Sequence, residues 1–279
     1  MVPIKKVEIY KFVCSCSDRP CRIRGLEPCI GTLYESNLMK HHIVHGAGLA
    51  LRPALLAPLK SRAPDNLQFL ELTPPDWIGI GGKVGKDLQQ LTQQYPSVCL
   101  SQSLSLGGPG VLDKEVLRDL RSFVAEHGIQ VFSEALAWSA DDAPLFINLP
   151  IPSTREAVKW TVSRIAQVQE ALGLRIGIRN VVHHMAPAWV EMNEAEFISE
   201  VVGASGCSLH LDLHALAANG VYFGFDPHAF LRALPLGRID YVRVGPEYTL
   251  LGDVLAHTHR SVARCVDDVK QLNLEALTC

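Results

Sequence analysis

The sequence predicts an α/β protein built as a single closed (β/α)8 barrel, and three observations carry that prediction. From His42 onward, short apolar runs alternate with amphipathic stretches of roughly 10 to 20 residues, the texture of strands and covering helices in turn. The chain has 279 residues, 48% of them hydrophobic and 20% charged, which suits one large domain with an ample core. Helix-start signals also fall where the alternation requires them. Asp113 precedes a charged amphipathic run, Ser153 and Thr154 precede Glu156, and Asn193 precedes Glu194 and Glu196.

Taken in order, strands are expected near 43–48, 67–72, 97–102, 129–134, 174–180, 207–212, 238–244 and 272–277. Helices fall between them near 53–63, 83–94, 113–126, 153–172, 193–204, 226–234 and 260–271. The chain stops straight after the last expected strand, so the helix that would cover it is either missing or replaced by the amino-terminal segment. No internal repeat or interdomain linker interrupts the pattern.

Residues 1–42 read as an extension ahead of a barrel domain at 43–279. They hold Cys14, Cys16, Cys21 and Cys29 and a basic cluster from Arg19 to Arg24. The run Val7–Val13 alternates like a strand, and the segment after it has loop composition. The spacing C-x-C-x4-C-x7-C would allow a zinc ion but lacks the paired C-x2-C pattern of established zinc sites, and an ordinary loop is the other reading.

A formal net charge of −3 and a pI near 6.4 argue against nucleic acid and against an anionic membrane as partners. The first residues lack the apolar core of a signal peptide, and no later stretch is apolar for the ~18 residues of a membrane span, so the cytoplasm is the expected location. Cys99, Cys207 and Cys265 lie in apolar runs and are expected as buried thiols.

The stretch most suggestive of function runs from Gly206 to Phe225, GCSLHLDLHALAANGVYFGF, where Asp212 closes a short alternating strand. Polar groups at the carboxyl ends of barrel strands are where ligands and metals bind. Glu71 and Glu134, near the ends of their own strands, qualify on the same ground and suit a functional role or an ion pair with nearby arginines. His183 and His184 sit beside residues that look like packing, and His210 lies inside its strand as a barrel-interior or helix-facing residue with one hydrogen bond satisfied. The glycines of GIGGK at 79–83 and SLGGPG at 105–110 lack the phosphate-loop form and read as turns.

Several segments, in chain order, resemble the DUF692 family, the multinuclear non-haem iron-dependent oxidases. They are GAGLALRPALL at 46–56, FLELTPPDW at 69–77, SLSLGG at 103–108, SEALAWS at 133–139, LPIPSTREAV at 149–158, GCSLHLDL at 206–213 and GFDPHAFLRALP at 224–235. The resemblance covers about residues 43–278. It implies a TIM barrel that modifies cysteine-containing peptides made on the ribosome, using iron held by histidines and carboxylates.

Against the family pattern, however, Leu100 and Ala135 stand where histidines are expected, and Arg179-Asn180-Val181 replaces a glutamate-containing motif. Phe223, Arg243 and Glu247 fall on further histidine positions, and His257 takes the place of an aspartate before Thr258 and His259. Asp212 and His259 are the clear survivors, and Glu275 matches a late glutamate. The facial arrangement of two histidines and a carboxylate is hard to assemble from such a set, and two arginines oppose cations by Coulomb repulsion.

The resemblance therefore implies a degenerate barrel, a pseudoenzyme or scaffold subunit with no cofactor, whose partner is a ribosomally made peptide, a peptide-recognition protein or an active oxidase. The alternative is an oxidase with a rearranged ligand set of Asp212, His214, His257 and His259, holding iron or, as second choice, zinc. In either case Glu71, Glu134, Arg179, Asn180 and Arg243 are candidate substrate contacts or supports behind the ligands. A metal-free reading would pair Glu134 with His259 for acid–base work.

Overall fold

The computed structural model describes residues 9–12, 44, 46–63, 67–141 and 143–244. Nine of the ten strands are β1 (Ile9–Phe12), β2 (Gly46–Ala50), β3 (Phe69–Leu72), β4 (Ser97–Ser101), β5 (Val131–Ala135), β6 (Trp138–Ala140), β7 (Pro144–Leu149), β8 (Ile176–Arg179) and β9 (Ser208–Asp212). The tenth, β10, is Ile239–Val244. The helices are α1 (Leu56–Ser61), α2 (Gly82–Gln94), α3 (Lys114–Glu126), α4 (Arg155–Leu172), α5 (Glu194–Ser205), α6 (Leu213–Phe223) and α7 (Pro227–Ala233).

The sheet is an α/β barrel. Its strands run in the order β1-β10-β9-β8-β5-β4-β3-β2 and close on themselves. From β2 through β10 the neighbours in the ring are parallel. β1 closes the ring antiparallel to both neighbours, with Tyr10 opposite Gly48 on one side and opposite Arg243 on the other. The strand expected within the amino-terminal segment thus forms and enters the barrel sheet. The strand expected at 272–277, the helix at 260–271 and the four cysteines of residues 1–42 lie outside the described residues, as does Cys265.

Local sequence accounts for most of these elements. Asp113 accepts from the backbone N–H groups of Glu115 and Val116 to start α3, and Thr154 accepts from Ala157 to start α4. Asn193 and Glu196 form a reciprocal capping box at α5, and Gly206 ends that helix at φ 68°. The strand pattern then splits the core into two layers. Leu70, Leu72, Phe132, Ile176, Ile178, Leu209 and Leu211 pack with the helices in the outer layer. Val44, Ala50, Phe69, Val98 and Tyr241 fill the interior of the ring. Gly48 is needed there because any Cβ would collide with the Phe69 ring.

Two elements depart from the expected pattern. Residues 213–223, expected to be loop at the barrel mouth, form α6, and residues 138–149 form the two-stranded sheet β6–β7 outside the barrel. Cys99 and Cys207 are buried free thiols, as their apolar surroundings predict. Among the described residues no helix is long and apolar enough to cross a membrane.

Candidate functional site

At the end of β9, Asp212 is held on every side. Its backbone N–H donates to Asn180 Oδ1 at 2.8 Å, and Asn180 Nδ2 donates back to the Asp212 carbonyl at 2.9 Å. Asp212 Oδ1 accepts from the backbone N–H of Ala215, capping α6. The other oxygen, Oδ2, accepts from Arg243 Nη1 at 2.8 Å and lies 3.9 Å from Arg179 Nη1. One buried carboxylate thus serves two guanidinium groups, one on each neighbouring strand. Register explains the meeting, because Asp212 pairs with Arg243 and Arg179 pairs with His210 two residues earlier on β9.

Two residues before Arg243 on the same face of β10, Tyr241 donates to Glu71 Oε2 at 2.5 Å. Both are buried, and burial, with Glu71 beside it, pushes the Tyr241 phenol well above its usual range. Deeper in the ring, the His210 imidazole lies over Gly177, with Nε2 2.9 Å from Asp240 Oδ1. His210 is therefore an interior residue with one polar contact made, as expected. Burial pushes the Arg243 guanidinium down to about 10.

Glu134 is wholly buried but faces different partners. Its Oε1 accepts from the backbone N–H of Leu104 at 3.2 Å, while Oε2 has no partner among the described residues. Burial pushes its carboxyl up to about 7, against hydrogen bonds from Ser101 and Leu104 and the charge of Arg179. The loop above it is tied down by Arg164, which donates to the carbonyls of Leu104, Ser105 and Gly110.

Among the residues expected at the site, the structure brings together Asp212, Arg243, Arg179 and Asn180, with His214 two residues beyond Asp212 in the first turn of α6. The ion pairing expected of the arginines falls on Asp212. Glu71 takes a tyrosine hydroxyl, and Glu134 takes a backbone amide. His257 and His259 lie outside the described residues, as do Glu247 and Glu275. Sequence reasoning missed Tyr241, although its position two residues before Arg243 on an alternating strand was a usable signal. It also missed Asn219, whose side chain accepts from the His183 N–H and donates to the Val181 carbonyl.

The comparisons with known proteins bear on the family of this chain. Residues 46–278 match the family model described as the RiPP precursor modification enzyme MbnB/TglH/ChrH. The chain belongs to this family. The UPF0276 protein of Alcanivorax borkumensis is 38% identical, covering 78% of this chain and 76% of that protein. A UPF0276 protein of Pseudomonas aeruginosa strain UCBPP-PA14 is 36% identical, covering 86% of this chain and 84% of that one. Among solved structures, endonuclease IV from Thermus thermophilus aligns with a TM-score of 0.43 at 16% identity over 68% of this chain and 71% of that one.

Iron is the metal that the family resemblance implies, and the described residues do not fit a multinuclear iron centre. Leu100 and Ala135, at two of the matched ligand positions, are buried and carry no donor atom. Arg179 and Arg243 place fixed positive charge at two more and lie against the remaining carboxylate. Among the described residues, no three histidine, cysteine or acidic side chains gather where they could hold an ion.

Proposed function

We propose that this chain is a scaffold member of its family, a barrel that binds a ribosomally made peptide or a partner oxidase without running iron chemistry itself. The observation that carries the reading is the Arg243–Asp212–Arg179 cluster. An aspartate at the one described ligand position that survives is engaged by two guanidinium groups and a helix amide. A cation entering the mouth would have to displace at least one guanidinium and then share the cavity with it, which Coulomb repulsion at low dielectric opposes. Membership of a family described as modifying ribosomally made precursors supports a peptide as partner. The cytoplasm is the proposed location, and a full set of eight β/α repeats is the proposed completion of the barrel.

The test is elemental analysis of tag-free protein loaded anaerobically with iron, beside an Asp212→Ala/His259→Ala variant. The expected result is no metal above background in either protein. Two or more irons per chain, lost in the variant and accompanied by turnover of a cysteine-containing peptide, would overturn the scaffold reading. They would establish instead the rearranged ligand set of Asp212, His214, His257 and His259.

A further inference from the structure

Beside the barrel mouth, the loop after β8, the start of α5 and the end of α6 enclose a cavity of about 260 Å³ that plays no part in the Asp212 cluster. Leu136, Ile151, Met192, Phe197 and Phe225 form its apolar walls. Besides Ser153 and Asn193, two titratable side chains, His183 and Glu194, break that lining. His183, only 8% exposed, has Nε2 at 3.4 Å from Glu194 Oε1, and its Nδ1 has no partner among the described residues. Glu194 opens α5, where its carboxylate is a third exposed, and it is the one formally charged residue in the lining.

The rim is unusual for a soluble surface. Met185, Trp189 and Val190 on one side, and Tyr222 and Phe223 on the other, are between 41% and 70% exposed. The two sides belong together, since the His184 and Tyr222 rings pack edge to face at 6.1 Å and Asn219 ties α6 to the loop at His183. Aromatic and methionine side chains left in contact with water around a formed cavity mark a recognition site. A volume near 260 Å³ lies below the ~300–1,000 Å³ of small-molecule sites and suits one large side chain of a longer ligand.

From this arrangement we infer that the cavity is an anchor subsite for a peptide, taking one large apolar side chain flanked by a basic residue that pairs with Glu194. This rests on the peptide-binding reading and adds to it the class of residue recognised and the place where it sits. The apolar walls exclude a charged occupant. Glu194, with no lysine or arginine in the lining to neutralise it, selects a cation at the cavity edge.

Three blocked tripeptides test the inference: acetyl-Lys-Phe-Lys-amide, acetyl-Lys-Ala-Lys-amide and acetyl-Glu-Phe-Glu-amide, titrated against the full chain. Trp189 emission is the readout, with Trp189→Phe identifying its share of the signal. The expected result is saturable binding of the Lys-Phe-Lys probe at least tenfold tighter than either of the others. Met192→Trp, which fills the cavity, removes that binding, and Glu194→Gln removes the preference for lysine over glutamate while keeping that for phenylalanine over alanine. Equal binding of the three probes, or binding unchanged by Met192→Trp, would overturn it. So would a doubling of the native mass that Met192→Trp abolishes, since the occupant would then be a second copy of the chain. Neither variant touches Asp212, Arg179 or Arg243, so iron loading and turnover would refute the scaffold reading while leaving the probe result to be read on its own.

Discussion

At the scale of single residues, the mouth of this barrel is an exercise in charge placement. Asp212 does two jobs, capping α6 through Oδ1 and holding Arg243 and Arg179 through Oδ2. Asp212→Asn separates them, because asparagine caps a helix as well as aspartate does. The charge-neutral variant leaves one buried guanidinium, Arg179, and one partly buried, Arg243, without their anion, a change that costs up to about 3–5 kcal/mol when a pair is fully buried. Urea unfolding should show a loss of that size, and Arg243→Met in the same background should recover part of it. A fall below about 1 kcal/mol would mean that the arginines are satisfied elsewhere. Glu134 gives the opposite sign. Its carboxyl is pushed up to about 7 in the folded chain from 4.5, so the native state favours the neutral form. Stability is then greatest below pH ~4.5 as far as this group is concerned and falls as pH rises through ~7, by on the order of 3 kcal/mol. Glu134→Gln should be more stable than the parent at pH 8 and should flatten that part of the stability–pH curve. An unchanged slope between pH 5 and 8 would show that Glu134 stays ionised.

At the scale of elements, what was legible in the sequence tracks local chemistry. α3, α4 and α5 begin at Asp113, Thr154 and Asn193 because short polar side chains there bond the first helical amides, a signal written in consecutive residues. α6 was not legible. Leu213–Phe223 carries no charged stripe and contains Asn219 and Gly220, so it reads as loop, yet Asp212 caps it and Asn219 fastens it to the loop after β8. The β6–β7 hairpin was equally hidden, its strands being short and irregular in register. In the site, Asp212 was found because it closes an alternating strand, whereas Arg179 and Arg243 were singled out by the positions they occupy against the family pattern. The Tyr241–Glu71 and His210–Asp240 contacts depend on cross-strand neighbours that one segment cannot reveal, although the place of Tyr241 two residues before Arg243 was readable. Gly177 belongs to this second group. A Cβ there would fall within the His210 ring, so the β8–β9 pair fits only with glycine opposite that imidazole. Gly177→Ala should therefore lower the melting temperature sharply, and Gly177→Ala/His210→Ala should recover much of the loss. If the costs simply add in the double variant, the collision is not the reason for the glycine.

At the scale of the whole molecule, the barrel is closed by a strand that arrives from the other end of the chain and runs against the rest. β1 is opposite Gly48 on β2 and Arg243 on β10, so it completes the hydrogen bonding of the one strand that supplies both Arg243 and Tyr241. Deleting residues 1–12 leaves β2 and β10 as open edges, each with unpaired backbone groups that invite pairing with another chain. Tyr10→Pro is the milder version, removing one donor from the ladder. The expected outcome for the deletion is a lower melting temperature and concentration-dependent association on size exclusion, with Tyr10→Pro between it and the parent. The Asp212→Asn comparison then links closure to the mouth. If β1 is what holds β10 in register, Arg243 loses its fixed position in the truncated chain, and Asp212→Asn should cost much less there than in the parent. An undiminished cost would mean that β9 and the interior layer around Tyr241 hold Arg243 without help from β1. The barrel mouth would then be built entirely by the parallel strands.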